Sequence, residues 1–506
     1  VLDAFYRRFN AATKQALVAI AAHPTNGDEL LPDKCGTYTK CLKQTSPGKV
    51  DLAAYADFAG AIASGSFAAF NAMTLGGPRT LNDPMGSYAP TFMGADSSQF
   101  GVPSVPAPPA LASPAYATEL IEIYWCSLLR DVPFGDYHGN STAQAAAEEL
   151  SFAPEYAGPK DNGRVTPALL FRGNFAGEAI GPYVSQLLVQ PTNLGALPFA
   201  QKYVTYKAGI DYMTDLDTWF DVQKGIPTGV VDQPEAAPVY LRDGRGLAAY
   251  THVDELYQAY FTAYLVLGSM KAPANPGSPY IGSKTQNGFG TFGGPDIAAM
   301  LGMVAKIALN AVWYQKWFVH LRHRPESGAG LVHLIKSGES FSAHPHASVL
   351  NSAAVAASFN KYGSYLLSQP FPEGSPAHPA YPTGHGTVGG ACITLLKFFF
   401  DGSFVFNNPQ TPNSDGTALM PWNYDPATGD PGVLTLNGEL HKLAHNITFG
   451  HGLHGGIHWR SDSDSSMLLG EAVAIAFLND LACTYAEPFS ISFTKLDGST
   501  ATITNL

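Results

Sequence analysis

Charge is what this 506-residue chain has least of. Asp, Glu, Lys and Arg make up 14% of it, against about a quarter in ordinary globular domains. A surface so poor in charge is expected to bury part of itself against copies of the same chain. Basic residues are the scarcer kind, 29 Lys and Arg against 41 Asp and Glu, for a net charge of −12. That balance argues against nucleic acid and against anionic membrane surfaces as partners. It also lends weight to any place where basic residues converge, because such a place in an acidic protein is suited to an anion.

Cysteine is scarce as well: Cys35, Cys41, Cys126, Cys392 and Cys483 are the full set, and none has zinc-ligand spacing. The last three stand in apolar surroundings and read as buried thiols. Cys35 and Cys41, in a polar loop, leave two readings open, free thiols or a disulfide, and a disulfide would point to an oxidising compartment. Long hydrophobic runs are missing. The longest uncharged apolar stretch, around 257–270, is too short and too polar to span a bilayer. No repeat of fixed period is present. The chain starts at Val1 rather than Met, and a secreted or periplasmic location is the expectation.

What is abundant is apolar: 45% hydrophobic residues, ample for a core. Helical periodicity predicts helices over 2–22 (with Phe5, Phe9, Ala12 and Leu17 on the apolar side), 51–73, 117–130, 142–150, 183–189, 212–222, 246–270, 295–323, 347–367, 385–400, 434–449 and 463–485. The segments 24–49, 76–114 and 273–294 read as loops, the second as a long arm suited to wrapping a neighbouring subunit. After Pro488 the pattern alternates, with Phe489, Ile491 and Phe493, then Ala501 and Ile503, around an Asp497-Gly498 turn. That is a β-hairpin. The expected architecture is one mainly helical domain: N-terminal helices and arm over 1–116, a core over 117–486 and a hairpin tail over 487–506.

Three segments carry candidate chemistry. Lys316, His320 and Arg324 are spaced to share one face of the expected 295–323 helix, and Pro325 disfavours helical geometry at Arg324, ending the helix there. They form either a Lys and an Arg aimed at one anion, point charge beside planar fork, or a basic last turn that complements the helix dipole. In the second segment, a Pro-rich loop with His378 delivers Thr383, Gly384 and His385 to a helix start. Glycine admits close approach of backbone N–H groups, the helix N-terminus favours negative charge, and His385 can act as acid or base. The plain alternative is a Thr N-cap. The third holds His451, His454 and His458, then Trp459, Arg460, Ser461 and Asp462. His458 as a metal ligand needs a partner on its other ring nitrogen. Asp462 supplies one if this turn is helical; otherwise His458 is a packed core histidine.

Lys-x7-Arg-Pro, then Thr-Gly-His, then a histidine at a Gly-rich helix start resembles the vanadium-dependent haloperoxidases. That family shares a helical-bundle scaffold with the type 2 phosphatidic acid phosphatases and bacterial acid phosphatases. The run from Tyr124-Trp125 to Arg130-Asp131-Val132-Pro133-Phe134 is similar to the algal bromoperoxidase subgroup. So are Gln315-Lys316-Trp317 and Arg324-Pro325-Glu326, and the end from Leu468-Leu469-Gly470-Glu471 to Leu496-Asp497-Gly498. The resemblance implies two four-helix-bundle-like cores and vanadate as cofactor, and it allows a structural calcium ion. It implies hydrogen peroxide, bromide or iodide and a small organic acceptor as partners, and a homo-oligomer. It places His458 as the axial vanadium ligand and His385 as the acid–base residue. Lys316, Arg324, Thr383 and the Gly384 N–H hold the equatorial oxygens, with Lys316 also able to protonate. His378 stands where bromoperoxidases have a second histidine.

The sequence departs from the family twice. Thr383 stands where Ser is usual, and Gly452 stands six residues before the axial position, where the family has Arg. A one-residue insertion would put His451 in the arginine's place; Arg322 or Arg460 would otherwise have to bend in. Two other readings stay open: an acid phosphatase with His458 as nucleophile, and a non-catalytic homologue.

Overall fold

In the computed structural model, which describes residues 1–424 and 432–505, the chain is mainly α-helical, with four separate two-stranded antiparallel sheets as its only strand pairs among those residues. At its centre lies the Gly384–Phe399 helix, every residue of which is buried. It packs against Gly294–Trp313, Leu436–Phe449 and Arg460–Ala482 in one bundle. A second group gathers around Pro114–Leu128, from Ser141–Phe152, Pro325–Lys336, Ala347–Leu350 and Ala353–Tyr362. The two helical cores are therefore present.

The central contact is set by missing side chains. A Cβ on Gly390 would lie 2.1 Å from the Met467 carbonyl oxygen, and one on Gly470 would lie 2.1 Å from that of Thr387. Gly384–Phe399 and Arg460–Ala482 thus meet main chain to main chain. Arg460–Ala482 and the continuous helical run Gly294–His320 are long and apolar enough to cross a bilayer, but here both are core helices that carry the candidate site.

Several helix boundaries differ from the periodicity, each for a local reason. The 51–73 run is two helices, Leu52–Ser64 and Phe67–Ala72, parted at Gly65 (φ +59°), with Asp51 and Ser66 as side-chain caps. The 246–270 run is also two, Gly244–Val253 and Gln258–Ser269, with Asp254 extended between them. Only a short 3-10 turn, Gln186–Leu188, occupies 183–189, and the next helix starts at Leu216, capped by Asp215. Ala347–Leu350 and Ala353–Tyr362 replace one long helix. The Pro325–Lys336 helix was not expected at all. Pro325 opens this helix rather than closing the one before it, as proline does at a first helical position.

The N-terminal helix Leu2–Ala16 has no buried residue. Its apolar side faces solvent, with Phe5 57% and Phe9 59% exposed. The 76–114 arm lies on its own chain: Ser87 Oγ donates to the Trp313 carbonyl at 3.0 Å, the Gly94 N–H to Asp480 at 2.8 Å and Tyr381 to the Pro106 carbonyl at 2.6 Å. All five cysteines are free, so Cys35 and Cys41 are not bridged, and Cys483 is only half-buried. The C-terminal hairpin is as expected, Ser490–Thr494 paired with Thr500–Thr504 and Ile491 opposite Ile503.

Candidate active site

Lys316 enters the site from a π-helix. The Gly294–Trp313 helix widens into a π turn over Tyr314–His320, and Leu321 (φ +48°) ends it. Such turns rotate side chains off the α-helical face. The expected shared face of Lys316, His320 and Arg324 therefore does not form. His320 packs on Tyr381 at 4.7 Å, outside the site, with burial pushing it down to about 3. Lys316 is fully buried and donates to the carbonyls of Pro379 (2.9 Å) and Ala380 (2.6 Å). Arg324, equally buried, donates through Nε to the His378 carbonyl at 3.0 Å. Its terminal nitrogens reach His378 Nδ1 at 3.0 Å and His458 Nε2 at 2.8 Å.

Neither cation has a carboxylate partner among the described residues. Lys40, Arg130, Arg245, Arg322 and Arg460, just as buried, each sit against an Asp or Glu. Burial drives Lys316 well below its usual range and Arg324 down to about 10, each opposed by Asp462. Two buried basic groups held only by carbonyls and imidazoles lack a counter-charge of their own.

His458 has the partner it needs. Its Nδ1 lies 3.0 Å from Asp462 Oδ2, in the first turn of Arg460–Ala482. Asp462 is in turn held by Arg322 at 2.7 Å, and Arg322 by Glu119 at 3.0 Å. Donation from Nδ1 to the carboxylate leaves the lone pair on Nε2, where Arg324 donates.

Thr383 is not an ordinary helix cap. Its side chain makes no cap hydrogen bond, and its Oγ1 is buried with no partner. Gly384 opens the central helix against the Trp313 ring, which a Cβ would meet at 3.4 Å. The first N–H groups of a helix have no partner within it. His385 Nε2 lies 2.9 Å from Asp254 Oδ1, and His378 lies on Trp313 at 4.8 Å. Asp254 was not foreseen, because its segment reads as the middle of one long helix.

His451 joins the site, its ring 4.1 Å from His385 and 5.5 Å from His458. Its Nδ1 is buried and unpartnered. Burial first, then His385, Arg324 and Lys316, hold it well below its ordinary pKa. His454 does not join. It bonds Cys126 Sγ at 3.0 Å and Tyr183 at 2.9 Å. Arg322 and Arg460 stay in their own ion pairs, Arg460 with Glu122. A Cβ at Gly452 would lie 3.2 Å from His458 Cβ, tighter than ordinary van der Waals contact.

Two cations without a carboxylate, an unpartnered hydroxyl and a helix start, closed by a histidine whose Nε2 lone pair faces Arg324, form a candidate oxoanion pocket on a helical bundle. The donors suit a tetrahedral anion such as vanadate or phosphate. The family model described as the VCPO second helical-bundle domain matches residues 296–485. A vanadium-dependent bromoperoxidase of Ascophyllum nodosum is 31% identical over 98% of this chain and 91% of its own length. One of Corallina officinalis is 30% identical over 95% and 92%. The homohexameric structure of the second vanadate-dependent bromoperoxidase from Ascophyllum nodosum superposes with a TM-score of 0.92 at 30% identity, covering 99% of this chain and 90% of that one. The chain belongs to the vanadium-dependent haloperoxidase family.

Proposed function

We propose that this protein is a vanadium-dependent haloperoxidase that oxidises bromide or iodide with hydrogen peroxide, the hypohalous-acid equivalent going on to halogenate a small organic acceptor. The observation that carries this reading is the pair Lys316 and Arg324, buried together with no carboxylate between them. The names of the similar bromoperoxidases support the vanadate assignment.

In this reading Lys316, Arg324, Thr383 Oγ1 and the Gly384 N–H hold the oxyanion, and His458 Nε2 is the metal ligand, oriented by Asp462. When bound, vanadate supplies Lewis-acid activation of peroxide towards halide. The chain supplies the rest. Lys316 and Arg324 stabilise negative charge on the oxygens in a water-poor pocket. His385, oriented by Asp254, moves a proton to or from the bound oxygens. His378, held by Arg324 and Trp313, lines the side where halide approaches, and His451 closes the gap between His385 and His458. The chain works as one domain, with 1–116 wrapping the 117–486 core and the 487–506 hairpin closing it. It assembles into a homo-oligomer, supported by the low charge, the exposed apolar side of Leu2–Ala16 and the homohexameric relative.

The deciding experiment uses protein stripped of vanadate by chelator and phosphate exchange and then moved into phosphate-free buffer, assayed with bromide and peroxide, with and without orthovanadate, beside a phosphatase assay. Halide oxidation that appears only with vanadate is expected. Phosphatase turnover without halide oxidation, or full activity without vanadium, would overturn the assignment.

A further inference from the structure

Beside the pocket lies a second group of metal-type donors that the proposed reaction does not use. Asp232, His252 and Glu373 each offer a ligand atom, and these atoms all lie within 4.8 Å of one another. His252 Nε2 is 2.6 Å from Glu373 Oε1, and its Nδ1 is 3.6 Å from Asp232 Oδ2. The imidazole is fixed by stacking on Phe371, 3.9 Å between centroids at 18°, and Tyr206 Oη lies 2.6 Å from Nδ1. The two carboxylates thus flank one imidazole, Glu373 at Nε2 and Asp232 beside Nδ1, so a cation would bind through one ring nitrogen and draw the carboxylate on the other side towards it. Neither carboxylate makes a salt bridge to a Lys or Arg among the described residues. Asp232 Oδ1 is also buried with no hydrogen-bond partner.

We propose that Asp232, His252 and Glu373 bind a first-row divalent cation, zinc or manganese, at the edge of the oxoanion pocket. Two carboxylates and an imidazole are a donor set for these ions. Calcium prefers six to eight oxygen ligands, so this is not the structural calcium that the resemblance allows. The three donors come from three separate segments: the loop after Gly225, the end of the Gly244–Val253 helix and the loop before His378. His252 precedes Asp254 by two residues, and Glu373 precedes His378 by five. A cation joining them pins the two segments that bring Asp254 and His378 to the pocket. It also cancels two negative charges beside a site that takes anions. The competing account is a hydrogen-bonded cluster of His252 with the two carboxylates and Tyr206, with no metal.

Calorimetric titration of the chelator-treated full-length protein with zinc chloride, in the absence of vanadate, separates the two. One zinc ion per chain is expected. Asp232→Asn and His252→Ala should each weaken uptake more than about 100-fold, beyond the 10–100-fold that loss of an outer-shell partner costs. Circular dichroism melts check that the variants are folded; if His252→Ala unfolds, Asp232→Asn, in a surface loop, decides. No zinc uptake by the parent protein, or unchanged uptake by Asp232→Asn, overturns the proposal. With no vanadate in the cell, neither result depends on the haloperoxidase assignment.

Discussion

Arg324 donates to His458 Nε2 at 2.8 Å, while Asp462 holds the other nitrogen of that ring at 3.0 Å. The imidazole is thus fixed from both sides with its lone pair turned to the cationic pocket. His458→Ala removes the proposed ligand atom and should abolish vanadate uptake in an isothermal titration. Asp462→Asn keeps the ring but loses its orienting charge, and should weaken uptake about 10–100-fold. Parent-like vanadate content in His458→Ala would show that another residue is the ligand.

His451, 4.1 Å from His385 and 5.5 Å from His458, is the residue proposed to take the place of the family's arginine beside the oxoanion. Its neutral form is favoured at pH 7, since burial and the nearby cations depress its pKa. Anion binding pulls that pKa back up, so proton uptake accompanies binding and vanadate affinity should fall as pH rises. His451→Arg, charged throughout, should tighten binding by about one to two powers of ten, at ~1.5–3 kcal/mol per charge-assisted bond, and flatten the pH profile. A profile unchanged in His451→Gln would remove this role from His451.

Gly390→Ala puts a methyl group against the Met467 carbonyl at 2.1 Å. Main chain cannot step aside as a side-chain tip can. The expected cost is about 1–3 kcal/mol or more, read as a lower midpoint in chemical denaturation. A shift within error would mean that the two helices can part.

The anion-free protein should be sensitive to acid. His320, His323 and His454 are each pushed by burial from 6.5 to about 3. A folded-state pKa below the unfolded one means that the unfolded chain takes up protons first. The stabilisation from these groups is complete above 6.5 and is lost as pH falls towards 3. His445, between Glu178 and Asp464, runs the other way. It is raised to about 9, so its contribution is complete below 6.5 and fades as pH rises through 9. Denaturation midpoints across this range should drop more steeply on the acid side. A flat acid limb would contradict the burial of the three histidines.

Assembly is directly measurable. Light scattering at micromolar concentration should give a mass above the 53.7 kDa of one chain. Phe5→Ser with Phe9→Ser should lower that mass if the exposed side of the Leu2–Ala16 helix is buried between copies. A parent protein of monomer mass would refute assembly.

Much of the pocket was legible in the chain because its groups sit at helix ends with strong local signals: Pro325 after Arg324, Thr383 before Gly384, a Gly-rich turn before His458. The hairpin was legible for the same reason, through Asp497-Gly498. The π turn at Tyr314–His320 was not, since a one-residue widening leaves the apolar pattern of a helix almost unchanged, and His320 was wrongly placed with Lys316. Asp254 was hidden because it lies 131 residues before His385, in a break between two apolar helices that periodicity joins. The one-residue offset from the family's arginine favours His451 over His454; what the sequence does not show is the packing against Cys126 and Tyr183 that takes His454 away.

The glycine seam between Gly384–Phe399 and Arg460–Ala482 has one further consequence. His385 and Thr383 stand at the start of one of these helices, and His458 just before the other. Their separation is therefore gauged by peptide groups in contact rather than by side-chain volume. Conservative changes of size elsewhere in the core can alter how firmly the protein holds together while the span of the pocket stays constant. Stability and cofactor geometry are thereby open to separate adjustment.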